Sequence, residues 1–130
     1  MRYLGVDYGS KNVGLALSDE AGGFAFPKET IVNDRRMVAR IAEIARVEKV
    51  GAIVVGDARS LSGGANKVTP DADRLADALK DATKLPLFRI REAFSSAEAM
   101  RFAPPHHRHD DSAAAAILLQ RFLDDRPLDK

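Results

Sequence analysis

Three carboxylates stand at comparable points of this sequence. Asp7 ends an apolar run, Glu92 follows another, and Asp111 heads an alanine-rich segment. Carboxylates brought together repel and cannot all stay ionised without a counter-cation. Mg²⁺ suits such a group, because it takes a few carboxylates, keeps waters and binds substrate phosphates. Two such ions roughly 4 Å apart would clamp the attacking and leaving oxygens of a phosphodiester. Spacing alone carries little, since helix starts and strand ends are rich in acids, and an Asp that merely begins a turn explains Asp7 equally well. Arg59, Lys67 and Arg108 fall in segments read as loops near these acids, where a cation suits a phosphate. Arg35, Arg36, Arg40 and Arg46 read instead as the solvated face of a helix.

The elements that must position these groups can be read in order. Arg2–Asp7 is a strand delivering its carboxylate at the end, and Tyr8 to Asn12 is a turn, with Gly9 free to take positive φ and Ser10 and Asn12 able to bond their own backbone. Val13–Ser18 returns as the second strand of a hairpin. Gly5 and Gly14 weaken their strands but let another backbone or a ligand approach. Phe24 to Val32 reads as a third strand, placed by Pro27 at an edge or a bulge. Asn33 or Asp34 caps a helix from about Arg35 to Glu48, with Met37, Val38, Ile41, Ile44, Ala45 and Val47 on its apolar face. Gly51–Gly56 is a short branched run that suits a strand covered on both faces.

Asp57 to Lys67 is read as a loop holding Gly63 and Gly64. Thr69 then caps a helix with Pro70 in its first turn, Asp71 and Asp73 close behind, and Leu75, Ala76, Leu79 and Ala82 inside. Leu85–Ile90 forms the fifth strand. Ser95 and Glu98 make a capping box for a short helix that Pro104–Pro105 ends. His106 to His109 is a linker, and Ser112 to about Asp124 is a final helix, capped by Asp110 and made thin enough by Ala113 to Ala116 for close packing on a sheet. The order β-β-β-α-β-α-β-α-α predicts a mixed-sheet α/β domain with helices on its faces.

With 130 residues, one domain over 1–130 is expected, long enough to bury a core. A net charge of +1 announces no global field for nucleic acid, so such binding must use local patches. The absence of Cys excludes disulfides and thiolate metal sites. No apolar run approaches the ~18 residues that span a bilayer, and the first strand leaves no stretch for a signal peptide. A cytoplasmic protein without a membrane partner is expected.

The ordered motifs VDYGSKNVGLALSD, IVVG, Glu92 followed by Ser95-Ser96-Ala97-Glu98-Ala99, and Asp111-Ser112-Ala113-Ala114-Ala115 with Ile117-Leu118 resemble one family over nearly the whole chain. It is the Holliday-junction-resolvase-like or pre-16S rRNA nuclease family, of the ribonuclease H-like superfamily. The resemblance implies a ribonuclease H-like fold, with a mixed five-stranded sheet whose second strand is antiparallel to its neighbours. It implies a metal-dependent endonuclease, using Mg²⁺ or Mn²⁺, that acts in 5′-end processing of the small-subunit rRNA precursor. Structured RNA is the favoured substrate, in precursor particles of the ribosome, with DNA the alternative. A Holliday-junction resolvase would need two sites and so a homodimer, whereas a monomer suits the RNA reading.

Position by position, Asp7, Glu92 and Asp111 match the family's metal-binding carboxylates, and Lys11 and Ser112 match flanking positions suited to nucleic acid. His107 and His109, with His106, could shuttle protons ahead of Asp111, as a mobile histidine does in ribonuclease H enzymes; a solvated linker is the plainer account. The sequence departs from the family in reading Arg91-Glu92-Ala93, which lacks the acid usual before the Glu and the Arg usual after it. Asp57-Ala58 likewise replaces an apolar-Pro step. A nucleic-acid-binding or ribosome-assembly module with weakened chemistry is the rival reading. The first motif also resembles the phosphate hairpin of sugar kinases and actin-like ATPases, which need two such domains to enclose ATP.

Overall fold

The computed structural model describes residues 1–9, 11–56, 65–90 and 111–125, and for 65–72 and 111 only the backbone. Five strands form one sheet in the order β3-β2-β1-β4-β5. They are β1 (Arg2–Asp7), β2 (Asn12–Ser18), β3 (Ala25–Val32), β4 (Val50–Gly56) and β5 (Leu87–Ile90). β2 runs antiparallel to both β1 and β3, while β4 is parallel to β1 and to β5. The carboxyl ends of β1, β3, β4 and β5 therefore share one end of the sheet. Three described helices accompany it: α1 (Met37–Val47), α2 (Ala65–Thr83) and α3 (Asp111–Asp125). The predicted helix near Ser95 to Ala103 lies outside the described residues.

Side chains alternate across the pleat, so each strand feeds two cores. Leu4, Val6, Val13, Leu15, Leu17, Ile53 and Val55 pack with Met37, Ile41 and Ala45 of α1 and Leu75 and Leu79 of α2. On the opposite face Tyr3, Ala16, Ala52 and Val54 meet Ala115, Leu118, Leu119 and Leu123 of α3. Ile53, Val54 and Val55 are fully buried, worth very roughly 1.5–3 kcal/mol each. Leu87 and Ile90 are half-buried, because β5 lies at the rim.

Local chemistry explains where the elements depart from the sequence expectations. Pro27 sits on the edge strand β3 where its register against β2 shifts, as a residue without an N–H should. α1 begins two residues later than expected. Asp34 turns the chain ahead of it, its Oδ1 accepting from Arg36 N at 2.9 Å, and the helix N-cap is Arg36. Asn33 is no cap: its side chain donates to Gly9 O at 2.8 Å. Val47 is exposed rather than buried, lining an open depression with Met1, Arg2 and Glu20. α2 begins at Ala65, so Lys67 lies on its first turn rather than in a loop, and Thr69 and Pro70 fall inside it, with no acid in the first turn. The helix-compatible run Ala65 to Val68 outweighs the one backbone bond that Pro70 cannot donate. Ala82 is exposed, at an open groove it shares with Ala42 and Ala45 of α1. β5 starts at Leu87, and the preceding Pro86 takes part only as an acceptor, from Ile53 N at 2.9 Å.

Candidate metal and nucleic-acid site

Asp7 closes the central strand, and pairing on both sides fixes its backbone. It stands opposite Gly14 of β2 and Gly56 of β4, and the next residue continues the ladder, Tyr8 N donating to Gly56 O at 2.9 Å. Alternation from Tyr3 through Gly5 puts Asp7 on the α3 face. The side chain is buried, with 5% of its surface exposed, and takes part in interactions within the chain. Residues paired across strands point to the same face. Hence neither β2 nor β4 places a side chain directly beside the Asp7 carboxylate.

The packing of α3 brings its N-terminal end to the same place. Phe122 meets Tyr3, ring centroids 5.8 Å apart, at the start of β1. Leu119 and Ala115 lie over Gly5, where an added Cβ would come within 2.9 Å of Leu119 Cβ and 3.3 Å of the Ala115 carbonyl oxygen. Going back one turn of helix covers ~5.4 Å, close to the ~6.6 Å that two strand residues cover from Gly5 to Asp7. The backbone at Asp111, which opens α3, thus lies toward the Asp7 end of the sheet. Ser112, the next residue, is buried and takes part in interactions within the chain.

The loop after Asp7 is built tightly. A Cβ on Gly9 would sit 2.4 Å from the Asn12 carbonyl oxygen, so this position requires glycine for want of room. Positive φ, the sequence expectation there, is found instead at Gly22. Lys11 is exposed at the loop's outer side. Its carbonyl accepts from Asn33 N at 2.8 Å, and the Asn33 amide holds Gly9 O, so the end of β3 braces the loop that follows Asp7.

Of the acids singled out in the sequence, Asp7 has a described side chain. Glu92 lies outside the described residues, as do Arg59, Arg91, Ala93, His106, His107, Arg108, His109 and Asp110, and of Asp111 only the backbone is described. Among the described residues no group of three or more metal-ligating side chains is assembled. Sequence reasoning missed the two glycines flanking Asp7. Both were visible as strand glycines, but only the register shows that they are its neighbours. It also missed the brace from Asn33, whose signal was an amide directly after a strand.

No helix among the described residues is long and apolar enough to cross a membrane. The fold is similar to that of Thermus thermophilus RuvC in complex with a Holliday junction substrate, with a TM-score of 0.56 and 16% identity over 90% of each chain. It is also similar to a ROK hexokinase from Thermus thermophilus, with a TM-score of 0.51 and 23% identity, covering 86% of this chain but 39% of the hexokinase. These likenesses establish a ribonuclease H-like α/β fold. A protein of Nitratidesulfovibrio vulgaris named "Putative pre-16S rRNA nuclease" is 39% identical over 101 residues, 76% of this chain and 71% of its own. One of the same name from Rickettsia typhi is 36% identical over 101 residues, 76% of this chain and 65% of its own. The family described as RuvX, Holliday junction resolvase, matches residues 1–125, and the chain belongs to it.

Proposed function

We propose that this protein is a divalent-metal-dependent nuclease acting on structured RNA, in 5′-end processing of the small-subunit rRNA precursor, through one ribonuclease H-like domain spanning 1–130 in a cytoplasmic setting. The observation that carries the chemistry is the buried Asp7 carboxylate at the carboxyl end of the central strand, flanked in register by Gly14 and Gly56. Ligand sites of open α/β sheets gather at those strand ends. An oxygen donor held there, with no thiolate in the chain, fits a hard cation such as Mg²⁺ or Mn²⁺. Asp7, Glu92 and Asp111 would hold it. When bound, a divalent cation polarises the phosphodiester and lowers the pKa of the attacking water. Asp7 supplies a carboxylate held by two-sided strand pairing, Lys11 an exposed cation for a neighbouring phosphate, and Ser112 a buried anchor for the start of α3. The name of the relatives supports RNA as the substrate.

A second reading rests on Arg91-Glu92-Ala93: a ribosome-assembly module that binds nucleic acid and has lost the reaction. Cleavage of a labelled rRNA-precursor fragment in Mn²⁺, in Mg²⁺ and with chelator, by wild type and Asp7→Asn, separates the two. The nuclease cuts only with metal, and Asp7→Asn lowers the rate by at least about 100-fold, since weaker perturbations around metal ligands already cost 10- to 100-fold. A folded wild type that binds the fragment and leaves it intact under both metals sinks the nuclease reading in favour of the binding module.

A further inference from the structure

Among the described residues most basic side chains are spoken for. Arg2, Lys28, Arg40, Arg46, Lys84 and Arg89 each lie within ion-pair reach of an acid. Arg74 and Arg121 also have partners. Lys49 and Lys80 make no ion pair among the described residues, but both lie in mixed-charge surroundings at the amino end of the sheet: Lys49 beside Arg2, Glu20 and Glu48, and Lys80 in a shallow depression with Asp77, Asp81 and Lys84. Lys11, Arg35 and Arg36 differ. All three are exposed, none makes an ion pair among the described residues, and the fold puts them together.

The backbone does the joining. Lys11 and Asn33 are in direct contact through the 2.8 Å bond from Asn33 N to Lys11 O, and the chain reaches Arg35 and Arg36 two and three residues later. The Asn33 amide on Gly9 O and the Asp34 turn onto Arg36 N fix that connection. Asp34 does not neutralise the pair, because its other oxygen, Oδ2, faces Arg40 at 3.5 Å. Nor do these arginines serve the helix they precede. Arg36 is the N-cap of α1 without a side-chain cap bond, where Ser, Thr, Asp or Asn is favoured and positive charge is not. β3 is parallel to β1, so this basic edge lies at the same end of the sheet as Asp7, and Lys11 is three residues from the Gly14 that pairs with it. At about 3.4 Å per residue the separation is on the order of 10 Å.

We propose that Lys11, Arg35 and Arg36 form a binding edge for the phosphodiester backbone of the nucleic acid flanking the scissile bond, a place where the loop after β1 and the β3–α1 turn act as one surface. The edge rests on the nuclease reading for its orientation toward Asp7. Contacts of this kind carry no sequence information. They fix the register of the strand and weaken steeply with salt, because each neutralised phosphate releases counterions.

The test measures binding of a labelled rRNA-precursor hairpin, and of the same sequence as DNA, with chelator present and salt varied. Arg35→Gln/Arg36→Gln is compared with wild type and with Arg46→Gln/Lys49→Gln, which changes cations at the other end of the sheet; thermal melts verify that each folds. Losing two phosphate contacts flattens the slope of log K against log salt by about 1.4–1.8 and weakens binding by roughly 10- to 30-fold at 0.15 M salt. The Arg46/Lys49 variant keeps the wild-type slope. Loss on both ligands identifies the shared backbone, and loss on RNA alone identifies RNA as the source. A wild type that cuts and binds, with the same slope in the Arg35/Arg36 variant, overturns this inference and leaves the nuclease standing. A wild type that neither binds nor cuts overturns both.

Discussion

At the amino end of the sheet Arg2 reaches both Glu20 and Glu48, Lys28 reaches Glu48, and Arg46 and Lys84 pair with acids one helical turn away. At the carboxyl end Lys11, Arg35 and Arg36 make no ion pairs among the described residues, and the central strand delivers a buried carboxylate between two glycines. The Arg46–Glu43 and Lys84–Asp81 pairs are exposed, and such pairs contribute little stability, typically below about 1 kcal/mol each. What they do is cancel charge locally, with Lys49 and Lys80 left outside the pairs among the described residues. At the carboxyl end Asp34 pairs with Arg40 and Asp73 with Arg89, while the buried Asp7 and the exposed Lys11, Arg35 and Arg36 stay apart, an arrangement a metal ion and a phosphate chain can complete. A net charge of +1 leaves binding to local patches, as the sequence required, and among the described residues such a patch is found at the carboxyl end.

The glycines give the sharpest way to break this comparison. Gly14→Ala would place a methyl on the α3 face beside Asp7, because paired residues share a face. Affinity for Mn²⁺, followed by calorimetric titration, is expected to fall by about 10- to 100-fold, the range for changes around metal ligands. Gly51→Ala, near the amino end of β4, is the control. Its added Cβ meets Cγ and Sδ of the Met1 side chain, which can swing aside, and the Arg2 carbonyl oxygen only at 3.8 Å. Metal affinity should be unchanged there. If Gly14→Ala binds Mn²⁺ as wild type does, the glycines are incidental and the carboxyl end loses its distinction.

The contact of α3 with β1 links the two ends and gives the next effect. Gly5→Ala brings a Cβ within 2.9 Å of Leu119 Cβ and 3.3 Å of a backbone carbonyl, neither of which moves cheaply. Overpacking of this kind costs about 1–3 kcal/mol, read as a lower denaturant midpoint at unchanged slope. A wild-type midpoint would mean that α3 is not seated as tightly as its glycine contact requires, and its delivery of Asp111 toward Asp7 would lose support.

Much of this was legible in the sequence, and the reasons are physical. Apolar runs bounded by turn residues marked the five strands, and Pro27 pointed to an edge or a bulge because it lacks an N–H. Gly5 was readable as a point of close approach, which α3 occupies. The site was legible only along the chain. Residues 7, 14 and 56 become neighbours through strand register, and Asn33 meets Gly9 and Lys11 because β3 ends where the β1–β2 loop begins. Arg35 and Arg36 looked like the rest of a solvated helix face. What sets them apart from Arg40 and Arg46 is which acids lie within reach, a property of tertiary structure.

The smallest effect tests whether the amino end is purely structural. Lys49 and Lys84 follow α1 and α2 in the left-handed region, at φ 57° and 61°, where glycine is the usual residue. An L side chain there costs about 1–2 kcal/mol, while glycine gives back about 0.5–1 in unfolded-chain entropy. Lys49→Gly and Lys84→Gly should therefore each raise stability by about 0.5–1 kcal/mol, seen as a higher denaturant midpoint. Strained residues cluster at functional sites, so the lysines could instead be held there for a ligand. Their position argues otherwise, since Lys84 is already paired with Asp81 and Lys49 borders the Arg2–Glu48–Lys28 network. Cleavage and RNA binding should stay at wild-type levels in both variants. A loss of either activity in the stabilised proteins would show that the amino end also meets the nucleic acid, and the contrast between the two ends would fall.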